Sequence, residues 1–298
     1  MMRGGIIMET NLPVEVVRRQ NWLEPIAERL QPAVAAVLDD TIGVEGAKIL
    51  HGTWLGHPLH VVLTDVPLGS WTAAAMFDLL DIANGNRAVR RAADSAISVG
   101  LFAATLTAIT GLADWSKIGG GESRRVGLAH GLLNVTATAC YLTSLCLRRN
   151  RSRPVGRQFA FLGLIVSTFS AYLGGHLVYK KKLGVDHTAD TSSPENFMPV
   201  LAEAALPENE LKRVNADGMP VLLVRKGPRI YAIAETCAHL GAPLSEGKLE
   251  GTSVRCPWHG SRYSLEDGRV LEAPSVHAQP VLEVRIRDGQ IEVRKSND

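Results

Sequence analysis

The sequence lacks several features by which common functions are recognised. It contains neither a glycine-rich phosphate loop nor a nucleophile elbow, so nothing in it indicates a nucleotide-binding enzyme or an α/β-hydrolase. The formal net charge of only +2 gives no electrostatic reason to expect a nucleic-acid partner. The four cysteines do not suggest a disulfide framework, since Cys140 and Cys146 lie in one apolar segment and Cys237 and Cys256 each have a histidine close by.

Long apolar runs are abundant in the first two thirds of the chain. Crossing a bilayer takes ~20 apolar residues, and four segments reach that length: Leu59–Leu80, Ala96–Trp115, Val126–Leu147 and Phe159–Tyr179. Basic connectors separate these segments, and small residues recur inside them. The sequence therefore predicts an all-α four-helix transmembrane bundle at residues 51–182, with membrane lipid as its partner. A buried soluble helical domain is the alternative.

The orientation of this bundle is weakly specified. Lysines and arginines are divided about equally between the two sets of connectors, so the positive-inside rule does not decide. The N-terminal residues carry no long apolar run before their first acidic residues, and we therefore expect no cleaved signal peptide. On this basis we expect a multi-pass integral membrane protein whose C-terminal domain is cytoplasmic.

Four histidines lie at or near the ends of the predicted spans: His57, His60, His130 and His176. Because consecutive helices alternate in direction, all four are expected near the same membrane face. Gly131, Gly174 and Gly175 adjoin two of them, which would leave room for a flat macrocycle. Histidines on different helices of a bundle can hold haem b, line a quinone pocket, or form hydrogen bonds between helices. The sequence leaves these three interpretations open.

The C-terminal part of the chain reads as a small antiparallel β domain, with short β-prone runs between turns such as "ADG" and "RDG". Inside it lie "CAHLGAPL" (237–244) and "CPWHGSRY" (256–263), which place Cys237-x-His239 before Cys256-x-x-His259. Zinc is an alternative for a Cys2His2 set, but the first pair is too closely spaced for a usual zinc knuckle. The pattern matches a [2Fe–2S] cluster in which two thiolates hold one iron and two imidazoles hold the other.

This motif resembles that of Rieske ferredoxin-like proteins, and the resemblance covers residues 206–298. It implies an all-β Rieske domain in which Cys237 and Cys256 ligate the inner iron and His239 and His259 ligate the outer one. It also implies that electrons pass through the imidazole edges. Ser261 and Tyr263 match positions that donate hydrogen bonds to cluster sulfurs in high-potential members, where they raise the reduction potential. Ala242 and Trp258 stand where those members carry two disulfide-forming cysteines.

The apolar half carries a second resemblance. The stretch "HPLHVVLTDVPLGSW" (57–71) is similar to the start of an uncharacterised four-helix family of predicted membrane proteins, over residues 51–182. The predicted organisation is therefore multi-domain. An N-terminal soluble or interfacial segment (1–50) precedes the four-helix transmembrane domain (51–182), a linker (183–205) and the Rieske domain (206–298).

The expected function is that of a membrane-bound Rieske protein that carries single electrons at the membrane face. It would work with a redox partner protein and relay to a haem or quinone site in the bundle. Alternatives are an electron-transfer subunit of an oxygenase-like or nitrite-reductase-like enzyme, and a redox sensor. A Rieske oxygenase needs a further iron site of two histidines and a carboxylate, and only His277 follows His259. The chain is therefore not expected to be an oxygenase by itself.

Overall fold

A computed structural model describes residues 12–296, in which six α-helices precede ten strands. The helices are α1 (Leu12–Arg18), α2 (Leu23–His51), α3 (Leu59–Asn84), α4 (Arg87–Ser116), α5 (Glu122–Arg149) and α6 (Arg153–Tyr179). The strands are β1 (Met198–Ala202), β2 (Lys212–Ala216), β3 (Met219–Lys226), β4 (Arg229–Ala234), β5 (Lys248–Glu250), β6 (Ser253–Arg255), β7 (Arg262–Ser264), β8 (Val270–Glu272), β9 (Leu282–Arg287) and β10 (Gln290–Lys295). The predicted order, all-α and then all-β, is confirmed.

The described chain divides into two compact units. The first contains residues 12–34 and 63–181, and the second contains residues 35–62 and 182–296. α2 contributes residues to both units, and its helical geometry is interrupted at Gly43 (φ 60°, ψ −171°). The second unit therefore combines the β-sheets with the segment that leads from α2 into α3. The predicted domain boundaries stay predictions.

The four helices expected from the apolar runs are α3 to α6, and local signals set their ends. The Asn86 side chain accepts a hydrogen bond from the Ala88 N–H (2.8 Å), which caps the start of α4. A proline opens α6, where its missing N–H has no helical partner to lose. The N–H of Asn150 donates to the carbonyl of Cys146 (3.1 Å) and closes α5.

Stacked aromatic rings fill the centre of the helical unit. Trp71 of α3 and Tyr141 of α5 lie with ring centroids 4.2 Å apart and an interplanar angle of 17°. Both rings lie against glycines: a Cβ at Gly100 would stand 2.3 Å from Trp71 Nε1, and one at Gly163 would stand 2.8 Å from Tyr141 Cε2. Small residues on α4 and α6 thus admit large rings from α3 and α5, as helices need in order to approach closely.

The outward surface of the helical unit is apolar. Large hydrophobic side chains stay exposed on α3 to α6, including Phe102 (70%), Val135 (67%) and Met76 (61%). Such a surface is unusual for a soluble protein. Within residues 12–296, however, only α4 and α6 are both long and apolar enough to be candidate membrane spans. The chain thus offers two candidates where the sequence predicted four, and a multi-pass arrangement stays a prediction.

A buried charged network occupies one end of the helical unit. The guanidinium of Arg148 pairs with both carboxylate oxygens of Asp78, one at 2.8 Å, and with Asp94 at 3.0 Å. The side chains of Arg148 and Asp78 are 1% and 0% exposed. Arg157 pairs with the equally buried Asp81. Charges without solvent persist only when they are paired in this way.

The second unit is built from three small antiparallel sheets, with strand orders β1-β10-β9, β2-β3-β4 and β5-β6-β7-β8. β4 leads into one motif-bearing loop, and the β6–β7 hairpin encloses the other. A core of buried apolar residues lies between them and includes Leu222, Ile233, Leu244, Cys237 and Cys256. The two cysteines thus belong to the hydrophobic core, while the rest of each loop approaches the surface.

Candidate metal centre

The two cysteine–histidine loops have the same backbone framework. In the first loop the N–H of Cys237 donates to the carbonyl of Ala242 (2.8 Å), and the N–H of Gly241 donates to the carbonyl of Cys237 (2.8 Å). In the second, Cys256 N–H donates to Ser261 O (2.8 Å) and Gly260 N–H to Cys256 O (3.3 Å). Each loop thus pairs its cysteine with the residues four and five positions later.

A glycine in the left-handed region completes each loop. Gly241 has φ 77° and Gly260 has φ 79°, values that other residues rarely adopt. Both glycines stand four residues after the cysteine, although the histidine stands two residues after Cys237 and three after Cys256. The loops are therefore equivalent in backbone, and only the histidine position differs between them.

The four predicted ligands come together at the ends of these loops. Cys237 is 0% exposed and Cys256 is 3% exposed. The rings of His239 and His259 lie 5.1 Å apart between centroids, at an interplanar angle of 83°. The Nδ1 atoms of both rings are buried and have no hydrogen-bond partner among the described residues. Two buried sulfurs and two orphaned imidazole nitrogens fit the donor set of a [2Fe–2S] cluster held by two cysteines and two histidines.

The acid–base properties of the four side chains follow from their burial and mutual contact. The Cys237 thiol donates to Cys256 Sγ, which raises the pKa of Cys237 and lowers that of Cys256 to about 6. Burial lowers the pKa of His239 to about 3, and the neighbouring His259 and His51 add to this shift. Burial also lowers the pKa of His259. The imidazoles are thus held neutral at pH 7, the form in which histidine binds metals.

The two residues predicted as hydrogen-bond donors lie beside the loops, both fully buried. The hydroxyl of Tyr263 lies 3.2 Å from Cys237 Sγ. Ser261 Oγ accepts a hydrogen bond from the backbone N–H of Ser275 (3.0 Å), which leaves its own proton available for another acceptor. The Ser261 hydroxyl therefore also ties the 273–277 loop to the second cysteine–histidine loop.

The sequence did not predict a role for Gln279, whose side chain forms hydrogen bonds with the backbone at the first cysteine–histidine loop. Gln279 is 2% exposed, and its Oε1 accepts from the N–H of Ala238 (3.1 Å). Its Nε2 donates to the carbonyls of Ala234 (2.7 Å) and Thr236 (2.5 Å). No sequence motif includes Gln279. The sequence shows only a polar residue between two β-prone runs.

The four histidines of the predicted spans fall into both units. His57 is exposed and His60 is half-buried, and both belong to the second unit. His130 and His176 belong to the first. Nδ1 of His130 lies 2.8 Å from the carbonyl of Ser170 and 2.9 Å from its hydroxyl, and Nε2 lies 3.1 Å from Asn134 Nδ2. Both ring nitrogens of His130 therefore have hydrogen-bond partners in the helical unit.

Gly174, two residues before His176, does not leave a cavity for a macrocycle. A Cβ at Gly174 would stand 3.1 Å from Cε1 of His130, so this glycine makes room for the histidine ring itself. Nε2 of His176 lies 3.6 Å from Oε1 of Glu122, at the opposite end of α5 from its C-terminal arginines. The geometry of His130 and Gly174 corresponds to a hydrogen bond between helices and does not support a haem.

Comparison with known proteins identifies both parts of the chain. Residues 196–285 match the family described as the Rieske [2Fe-2S] domain. The ferredoxin CarAc of Metapseudomonas resinovorans is 33% identical over 98 residues, which are 33% of this chain and 92% of that ferredoxin. The chain belongs to the Rieske [2Fe-2S] family.

Residues 56–187, ahead of the Rieske domain, match a family described as predicted membrane protein (DUF2231). The ferredoxin component of a naphthalene 1,2-dioxygenase system from Pseudomonas aeruginosa is 34% identical to the Rieske part, over 27% of this chain and 77% of that protein. Apoptosis-inducing factor 3 of Mus musculus is 31% identical over 30% of this chain, but the match spans only 15% of that protein. The Rieske domain implies a [2Fe–2S] cluster and a role in electron transport.

Proposed function

We propose that this chain is a membrane-attached Rieske electron carrier, with Cys237, His239, Cys256 and His259 as the cluster ligands. The proposal rests on one observation: two equivalent loops bring two buried sulfurs and two orphaned Nδ1 atoms together. When bound, a [2Fe–2S] cluster supplies reversible one-electron transfer. The chain's residues hold the sulfurs inside the core and present the imidazoles towards the surface.

The neutral histidine pair and the Tyr263 hydroxyl set the expected reduction potential. Two imidazoles in place of two thiolates remove negative charge from the ligand set, which favours the reduced state. A hydroxyl 3.2 Å from Cys237 Sγ favours it further by donating to the sulfur. The potential is therefore expected above that of all-cysteine clusters. A potential below that of Rieske proteins with a disulfide between the loops is expected as well, because Ala242 and Trp258 cannot form one.

Membrane attachment is supported by the helical unit. Its family is described as a predicted membrane protein, two of its helices are candidate spans, and its outward face exposes large apolar side chains. Its buried charges are paired with one another, as a low-dielectric surrounding requires. We propose that lipid covers this face and that the Rieske domain works on the cytoplasmic side.

Within this proposal, the helical unit anchors the carrier and is not a haem domain. Both ring nitrogens of His130 have hydrogen-bond partners, and the His130 ring occupies the space beside Gly174. A haem b site at His130 therefore has no support. The acceptor is then either a membrane quinone or a soluble redox partner protein.

A second candidate is suggested by the relatives. CarAc and the naphthalene-system protein are named as ferredoxins or ferredoxin components, and the chain covers 92% and 77% of them. The Rieske part could therefore deliver electrons to a soluble oxygenase, with the helical unit holding it at the membrane. This candidate and quinone reduction share the same cluster and differ only in the acceptor.

One experiment tests attachment and acceptor together. The full chain is expressed, membranes are washed with alkaline carbonate, and iron and acid-labile sulfide are assayed in pellet and supernatant. The proposal expects both in the pellet, and recovery in the supernatant would contradict attachment. The reduced protein in proteoliposomes is then mixed either with a short-chain ubiquinone analogue or with a purified Rieske oxygenase component. The acceptor that reoxidises it faster decides between the two candidates, and a Cys256→Ser variant gives the background rate.

A further inference from the structure

The segment that leads from α2 into α3 packs against the Rieske loops within the second unit. Thr53 Oγ1 donates to the carbonyl of Ser275 (3.3 Å), which is the residue whose N–H donates to Ser261. Thr53 lies in a short 3-10 turn, Thr53–Leu55, flanked by Gly52 and Gly56. Immediately before the turn, His51 is only 3% exposed. This turn therefore lies at the edge of the metal centre.

A second segment, which follows α6, reaches the same edge. The N–H of His187 donates to the carbonyl of Ala238 (3.0 Å), between the two ligands of the first loop. His187 Nδ1 lies 3.6 Å from the position that a Cβ at Gly241 would take. The two segments also meet each other, since a Cβ at Gly184 would stand 3.1 Å from Pro58 Cγ. They form a continuous cover, which we call the cap and define as residues 51–58 and 184–188.

The cap lies on one side of the metal centre. The His187 N–H donates to the carbonyl of Ala238, the residue before His239, and His187 Nδ1 lies against the position of Gly241, two residues after His239. On the other side, the ring of Trp258 lies edge-on to His259 with centroids 6.3 Å apart, and Trp258 is 56% exposed. The two imidazoles therefore have different surroundings: His239 lies in the loop that His187 contacts, and His259 adjoins an exposed indole.

We propose that the cap is an internal docking element that covers the His239 edge of the metal centre. Only the His259 edge is then open to a soluble redox partner. His51 and Thr53 act as positioning residues in this element. The assignment of the ligands rests on the proposed function, but the cover itself is a property of the fold. The match to the ferredoxin CarAc is 98 residues long, which is too short to include both residues 51–58 and the two Rieske loops.

The consequence is that electron exchange is confined to one face of the domain. Electrons would therefore enter and leave through the face with Trp258 and His259, which a soluble partner protein would contact. The cap is continuous in sequence with α3, which begins at Leu59. The chain would thus supply its own docking element for the His239 edge.

The proposal is tested by histidine labelling of the loaded full-length protein with diethyl pyrocarbonate, read residue by residue by mass spectrometry. When the Nδ1 atoms bind iron, only the Nε2 atoms remain reactive, so the labelling reports the exposure of each outer edge. We expect His259 to be labelled at least about tenfold faster than His239. Equal labelling of the two ligands would overturn the proposal.

Gly52 offers a specific way to open the cap. It has φ 85°, and a Cβ there would stand 2.2 Å from the carbonyl of His57 and 2.7 Å from the N–H of Leu59. Gly52→Ala must therefore shift the turn, and we expect His239 labelling to approach the His259 rate. Gly56→Ala is the matched control, because Gly56 also has a left-handed φ (70°) but nothing lies within 4 Å of its added Cβ. The control should keep His239 protected.

A milder variant keeps the test valid if Gly52→Ala does not fold. Thr53→Val retains the shape of the side chain and loses one hydrogen bond, which should raise His239 labelling about fivefold. Unchanged protection of His239 in both folded variants would contradict the cap. Iron and sulfide content are measured in parallel. A protein that loads no cluster contradicts the proposed function, whereas a loaded protein with equal labelling contradicts only the cap.

Discussion

The phenolic oxygen of Tyr263 lies 3.2 Å from the sulfur of Cys237, and neither residue is exposed to solvent. Burial, followed by the nearby Cys237, raises the pKa of Tyr263, so the phenol keeps its proton at physiological pH. A protonated hydroxyl next to a ligand thiolate can only act as the donor. Because the reduced cluster carries more negative charge, this hydrogen bond is stronger in the reduced state.

Tyr263→Phe should therefore lower the reduction potential of the cluster. A hydrogen bond that favours the reduced state by about 1.4 kcal/mol corresponds to about 60 mV for one electron. Ser261→Ala should act in the same direction, and the double variant should show a larger fall than either single one. Potentiometric titration followed by EPR measures each value. Tyr231→Phe is the control, since Tyr231 packs against the same core and lies on β4; an equal fall there would refute the role of Tyr263.

The clustering of the candidate ligands and hydrogen-bond donors of the second loop could be predicted because these residues follow each other closely in sequence. Cys256, His259, Ser261 and Tyr263 lie within eight consecutive residues, and a single hairpin brings them together. Gln279 could not be predicted, because its contacts with the 234–238 backbone join residues more than forty positions apart. The cap was missed for the same reason: Thr53 and Ser275 are separated by 222 residues.

In the helical unit, the hydrophobic pattern predicts helices but not the contacts of individual side chains. The apolar runs predict the four helices α3 to α6 in their order, whereas α1 and α2, which precede them, do not follow from those runs. The role of Gly174 could not be predicted from the sequence, because a glycine near His176 is compatible with an empty pocket and with one filled by a side chain. In the structure the His130 ring occupies the space beside Gly174. Likewise, the sequence assigns Arg148 to a basic connector between spans, whereas Arg148 lies in the last turn of α5 and is buried in an ion pair with Asp78.

The buried pair of Asp78 and Arg148 should dominate the stability of the helical unit. Asp78→Asn leaves the guanidinium of Arg148, 1% exposed, without its main counter-charge, and such losses cost about 3–5 kcal/mol. We expect little folded protein after detergent extraction, as judged by size-exclusion chromatography and a thermal aggregation curve. Asp94→Asn is the comparison, since the Asp94 side chain is 35% exposed. If the two variants behave alike, burial of the pair is not what matters.

The close contact between Gly100 and Trp71 gives a sharper packing test. Gly100→Ala places a Cβ 2.3 Å from Trp71 Nε1, and overpacking of this kind costs about 1–3 kcal/mol. The helical preference of alanine returns up to about 1 kcal/mol, so a net loss of stability is expected. Gly69→Ala, also within a helix but with nothing within 4 Å, should be neutral or stabilising. Thermal unfolding of the two purified variants in the same detergent checks this, and a Gly100→Ala protein as stable as Gly69→Ala would contradict the packing.

The metal-free protein should lose stability as the pH falls. The pKa of His239 is about 3 in the folded chain and ~6.5 when unfolded, so between these values only the unfolded chain binds the proton. Folding stability therefore decreases on acidification from pH 6.5, by at most about 1.4 kcal/mol per pH unit for this residue. Circular dichroism melts of the iron-depleted chain at pH 7 and pH 5 measure the effect.

His239→Gln should reduce this pH dependence, whereas His57→Gln should preserve it because His57 is exposed. A melting temperature that is equal at pH 7 and pH 5 in the unmodified chain would show that His239 is not held neutral by burial. Restoring iron and sulfide should raise the melting temperature at both pH values, since the ligand atoms then gain partners.

EPR-monitored redox titration of carbonate-washed membranes that contain the full chain tests whether the chain carries a membrane-bound Rieske cluster. We expect a one-electron signal in the membrane fraction, with a midpoint between roughly −150 and +300 mV, the range of clusters with two histidine ligands. The signal should be absent from membranes that contain the Cys256→Ser variant. A signal confined to the soluble fraction, or a midpoint near −400 mV as in all-cysteine plant-type ferredoxins, would contradict it.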